Sequence, residues 1–254
     1  MNHAARSVWM AGAMALASLT AQAVTLTPTL TGAPVTGTVT ASAATLSSLN
    51  STSGWVDNFS NRDIKVEQTP GVGYTSVQFT NLGLQSLSYD GISGKVLSEQ
   101  YGGTFSVLVR DNAETAPMGG YIHVSNLLVD LQNNAISASV FGGNGVGPVD
   151  NVKLWRFDSA SGLTNLYTTP KVLNNNTLQT SAIQLSISGL SFTDEGRQLW
   201  GSSLGYNQAG MQILAGVNPF GSFTASAVPE TSTLAMMLLG LAGLGTAARR
   251  RRAN

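Results

Sequence analysis

The sequence predicts an all-β protein: an antiparallel β-sandwich or barrel-like domain with one short late helix. Three observations carry this expectation. Between residues 60 and 227, short runs alternate apolar and polar residues, the period of a strand with one buried face. Turn residues (Gly, Pro, Asn and Asp) recur between those runs. Within that span, one stretch carries the cap chemistry of a helix start. Strands so spaced favour a sandwich or barrel over a parallel sheet with crossover helices.

In chain order, residues 24–59 form a Thr/Ser-rich segment whose Thr and Val favour strands through their branched β-carbons. It reads either as one or two edge strands or as an extended arm. DIKVEQT (63–69) and YTSVQFT (74–80) alternate around a Pro70-Gly71 turn. SLSYDGISGKVLS (86–98) contains Asp90-Gly91, a hairpin signal. GTFSVLVR (103–110) reads as a strand ended by Asp111-Asn112. GYIHVSNLLVDL (120–131) and NAISASVFG (134–142) flank a polar break at Gln132-Asn133, a second hairpin. NVKLWRF (151–157) and SAIQLSISGL (181–190) complete the strands. In SFTDEGRQLWGSSLG, Thr193 is placed to cap a helix whose first turn holds Asp194 and Glu195. Leu199, Trp200 and Leu204 share its inward face, and Gly205 ends it. Trp55, Trp155 and Trp200 read as core or rim anchors.

The chain has no cysteine, which excludes a disulfide scaffold, thiolate ligands and a cysteine nucleophile. Residues 24–228 hold twelve acidic and eight basic residues, a formal charge of −4. The zero balance of the whole chain depends on its terminal arginines. A body without a basic patch argues against a nucleic-acid partner.

No pattern for catalysis, metal or cofactor stands out. GSSLG (201–205) matches G-x-S-x-G with Ser203 as formal nucleophile, but a nucleophile elbow needs a strand before it, and no histidine follows Ser203. His123, the one histidine of the body, falls by alternation on the face of Tyr121 and Ser125, opposite Ile122 and Val124. One histidine without His-x-His or His-Glu-x-x-His spacing makes no zinc site. Asp57, Asp90, Asp111, Asp130, Asp150 and Asp158 stand mostly beside Asn, Gly or Ser, so turn chemistry explains them without calcium. GGNGVG (142–147) lacks the lysine of a phosphate loop and reads as a turn. The expectation is a non-enzymatic protein without cofactor.

Both ends carry targeting patterns. Residues 1–23 place Arg6 before an apolar run from Val8 to Leu19, then Ala21-Gln22-Ala23. That is a secretory signal peptide with a small-x-small cleavage site at Ala21 and Ala23, giving a mature start near Val24. At the other end, an apolar helix is expected over 233–248, followed by Arg249, Arg250, Arg251 and Arg252. The run from Leu234 to Ala248 would reach about 22 Å as a helix, against a bilayer core of roughly 30 Å. Such a short span suits a transient single membrane helix. The arginines would hold its end in the cytoplasm.

Residues 228–254, VPETSTLAMMLLGLAGLGTAARRRRAN, resemble the PEP-CTERM sorting signal of Gram-negative bacteria. Val228, Pro229 and Glu230 match its short motif, and Thr231 stands where the family usually has a second proline. The resemblance implies export across the inner membrane by the secretion machinery and signal peptidase. It also implies removal of the tail by an exosortase and residence at the cell surface or in an exopolysaccharide matrix. The body, through YIHVSNLLVDL, VKLWRFD and LSISGLSFTDEGRQLWGSSLGY, is similar to HtaA-like surface domains, whose late helical segment Phe192-Thr193-Asp194-Glu195-Gly196 approximates. Some of those domains bind haem through tyrosine and histidine near the domain's beginning. No such pair falls at the matching place, so haem binding is not carried to His123. The open alternatives are an extracellular ligand-binding module, for haem or glycan, and an extracellular hydrolase.

Overall fold

The computed structural model describes residues 25–57, 64–167, 173–174, 177–180 and 183–227, without the side chains of 55–57 and 173–174. The expected leader, the expected sorting signal with its helix, and the Trp55 side chain therefore lie outside the described set. The chain begins with short β1 (Thr25–Leu26) and β2 (Thr29–Thr31), then β3 (Val35–Ala41) and α1 (Ala43–Ser51). Next come β4 (Gly54–Asp57), β5 (Ile64–Thr69), β6 (Gly73–Asp90), β7 (Val96–Val109), β8 (Gly120–Asp130), β9 (Ala135–Gly142) and β10 (Gly147–Arg156). β11 (Ser159–Gly162), β12 (Leu173–Asn174), β13 (Thr177–Gln179) and β14 (Gln184–Phe192) follow. The last elements are α2 (Asp194–Ser203), α3 (Gln208–Ala215) and β15 (Gly221–Ala227).

Eight of these strands form a closed antiparallel ring in the order β6-β3-β15-β14-β10-β9-β8-β7, and β7 returns to β6. Of the two architectures the alternation allowed, the barrel is the one formed. Closure leaves no free edge on the ring itself. β4 and β5 extend it beside β7 and β6. β12, β13 and β2 make a small separate sheet in which β13 runs parallel to β2. The ring's narrowest seam joins β10 to β14 through Trp155↔Phe192 and Arg156↔Ser191.

Side chains fill the interior, as an eight-stranded barrel permits. Tyr101 meets Phe223 edge-on at 5.0 Å, and Phe79 stacks on Phe105 at 4.2 Å between centroids. The helices close one mouth. α2 starts at the narrow seam, where the Thr193 N–H donates to the Leu154 carbonyl. Its last turn packs on the inner side of β8 and β9, so that an added Cβ at Gly120 or Gly142 would collide with Ser203. Trp155, Phe192, Trp200 and Phe220 form one aromatic cluster beneath it, with centroids 5.1 to 6.2 Å apart.

The predicted late helix is α2. Thr193 Oγ1 accepts from the Gly196 N–H at 2.9 Å, Trp200 and Leu204 are buried, and Gly205 at φ +70 follows. It is not the sole helix, and that expectation is corrected. α1 forms where strands or an arm were expected, because Ser42 caps it by accepting from the Thr45 N–H. α3 forms because Asn207 Oδ1 accepts from the Ala209 and Gly210 N–H groups. The strand runs 74–80 and 86–90 are parts of one strand, β6. Asp90 does mark a hairpin, but across a longer turn than Asp90-Gly91: its Oδ1 accepts from Ile92 and Ser93, and Gly94 takes φ +73. Asp130 does the same for the β8–β9 turn, with Gln132 and Asn133 as donors.

Candidate functional site

Alternation along β7 to β10 sends one set of side chains into the barrel and the other set out. Each set contains a feature with chemistry.

Inside, Glu99 and Tyr101 lie two residues apart on β7, both fully buried. Glu99 faces Leu87 of β6 and Val129 of β8, apolar neighbours on both sides. The Tyr101 hydroxyl donates to Glu99 Oε2, and Glu99 Oε1 has no partner. Burial pushes the Glu99 carboxyl up to about 7, against the opposing pull of the Tyr101 hydrogen bond. Burial first, then the charge of Glu99, pushes the Tyr101 phenol above its ordinary range. Glu99 escaped sequence reading because residues 99–102 fall between two strand candidates that form one continuous strand, β7.

Outside, Tyr121 and His123 on β8 lie beside Phe141 on β9. His123 and Phe141 are direct cross-strand partners with nearly parallel rings, 6.1 Å apart and 11° between planes. Tyr121 is 5.0 Å from His123 and 5.9 Å from Phe141. Phe141 is 46% exposed, so one face of this ring group meets solvent. His123 Nδ1 is hydrogen bonded to Ser106 Oγ at 2.5 Å, which fixes the ring and leaves Nε2 for another partner. As alternation required, Tyr121, His123 and Ser125 are half-buried while Ile122 and Val124 are buried.

The aromatic rings continue into a polar groove on the same outer face. It is lined by Gln100, Asn126, Leu128, Ala138, Ser139, Asp150 and Asn151, with a volume of about 230 Å³. Ser125 Oγ, which donates to the Ser139 carbonyl at 3.5 Å, lies between rings and groove. The groove exists because three strands bulge at one level. The register slips in β7 between Tyr101 and Thr104, in β8 between Ser125 and Leu128, and in β10 between Val149 and Val152. Asn126 and Asn151 adopt left-handed backbone conformations at φ +52 and +57, which re-aim their side chains.

Ser203 and His123 do not meet. Ser203 is the last residue of α2, fully buried on the inner side of β8 and β9, and its hydroxyl has no partner. His123 is on the outer side of the same strands. GSSLG is preceded by helix and not by the strand an elbow requires. GGNGVG forms the β9–β10 turn, and Asn144 there donates to the Gly119 and Ser203 carbonyls. Among the described residues no three His, Cys, Asp or Glu side chains cluster to hold a metal, and no helix is long and apolar enough to cross a membrane. Ala21, Ala23, Val228, Pro229, Glu230 and the four terminal arginines lie outside the described residues.

No family model, curated protein or solved structure matches this chain.

Proposed function

We propose that this is an exported, non-enzymatic protein of the cell surface or extracellular matrix, released from a transient membrane anchor by an exosortase. The observation that carries this reading is a junction. The closing strand β15 ends at Ala227, and Val228-Pro229-Glu230 follow at once, ahead of the apolar run and the arginines. A cut there would free the entire barrel and discard only the tail. The filled interior also favours a role for the outer surface.

Intact mass spectrometry of surface protein from a host with the sorting enzyme tests the reading. The expected species begins near Val24 and ends near Pro229-Glu230. A surface species that retains residues 231–254 would make the tail a lasting anchor. Protein that stays full-length in the cytoplasm would refute export. A ligand-binding role is the second reading, and the aromatic face of β8 and β9, with Phe141 exposed beside half-buried Tyr121 and His123, favours it with a glycan as ligand.

A further inference from the structure

We infer that the outer face of β7–β10 is a binding site for a neutral polysaccharide, with Tyr121, His123 and Phe141 stacking on sugar rings and Asn126, Asp150 and Asn151 taking hydroxyls. This deepens the second reading above and does not depend on how the tail is processed.

Four features point to that ligand. Sugar rings present flat C–H faces, and an exposed aromatic surface stacks on these. Alternation with the buried Val140 and Gly142 turns Phe141 outward, and there it stands with Tyr121 and His123 as a group of three rings and not as a lone apolar residue. Beside the rings lie amide, hydroxyl and carboxylate groups, which both donate to and accept from sugar hydroxyls. The groove is built rather than incidental, since three bulges coincide and two asparagines hold left-handed backbones that cost free energy. Finally, the groove lining includes one carboxylate, Asp150, and no cation, and the body is acidic overall. A polyanion would meet Asp150 and no cation in the lining, the nearest on this face being Lys153 two residues beyond Asn151, so a neutral glycan is the complementary choice. Rings and groove together extend roughly 15 Å along and across the strands, by strand rise and spacing. That length suits an oligosaccharide segment better than a single sugar. The Ser106 bond holds His123 through Nδ1, so Nε2 is the ring nitrogen that would meet a sugar hydroxyl.

The test is isothermal titration of the full chain in detergent with cellohexaose, laminarihexaose and isomaltohexaose, and with alginate as the anionic control. At least one neutral hexasaccharide should bind saturably, and alginate should not. Phe141→Ala and Tyr121→Ala should each weaken binding by about tenfold, roughly the weight of one stacked ring. Asn126→Gly, which keeps the left-handed backbone and removes only the amide, should weaken it as well. Phe141 is exposed, so its variant should keep the wild-type circular dichroism spectrum and melting temperature. Binding to none of the neutral sugars, preference for alginate, or binding unchanged in both folded ring variants would each overturn the assignment. Self-association abolished by Phe141→Ala, without sugar binding, would instead make the face an interface between copies and equally overturn it. Surface localisation is read separately by the mass measurement, so failure here leaves the export reading standing.

Discussion

Glu99 is the residue whose cost is easiest to measure. Its carboxyl is neutral in the fold up to about pH 7, while the ordinary value is 4.5. The folded state therefore holds a proton that the unfolded chain gives up between those values. Stability contributed by this group is full below pH 4.5, falls as pH rises through 7, and is flat above. The shift corresponds to about 3 kcal/mol. Glu99→Gln should flatten that part of the curve and melt higher than wild type at pH 8, as denaturation from pH 4.5 to 8 would show. Ser203 makes the opposite case. Its buried hydroxyl has no partner, so Ser203→Ala removes an unsatisfied group and adds a better helix former. The variant should be as stable as wild type or up to about 1 kcal/mol more stable in urea melts. A hydrolase reading would demand lost activity from the same change.

Elements differ in how plainly the sequence announces them. β8, β9 and α2 were legible because local chemistry and long-range packing agree: strict alternation in YIHVS, a turn closed by Asp130, a threonine cap followed by acidic residues. Thr193→Ala should cost about 1 kcal/mol for the lost cap, more than a typical surface change, because Thr193 Oγ1 also donates to the Lys153 carbonyl across the β10–β14 seam. Chemical denaturation would report it, and a neutral result would remove α2 from the seam's support. α1 was illegible because AATLSSLNS offers only two leucines. Its place is fixed by distant contacts, such as Thr45 Oγ1 donating to the Phe220 carbonyl at 2.5 Å. The merging of β6 had the same origin. Residues 81–85 lay outside both strand runs, yet the strand passes through Asn81, at φ +65, and changes partners from β5 to β7. The outer site was half legible. Alternation placed Tyr121 and His123 together, but Phe141 and the groove asparagines join them only through register and bulges that no local pattern encodes.

At the scale of the whole molecule, the barrel depends on its last strand. β15 pairs in seven positions with β3, from Gly221↔Ala41 to Ala227↔Val35, and lies against β14 on its other side. A chain truncated after Gly216 would leave β3 and β14 as bare edges. It should lose its cooperative thermal transition and aggregate in size-exclusion chromatography, while a chain truncated after Ala227 should elute as one discrete species and melt cooperatively. The ring has a further consequence in time. If the chain is exported from its N-terminus as proposed, β3 emerges early and must wait for nearly the whole body before its second neighbour arrives. An open sheet could finish in stages. A ring cannot, so on the proposed export route the chain would stay threadable until residue 227 had crossed, and the fold would lock only once β15 was through.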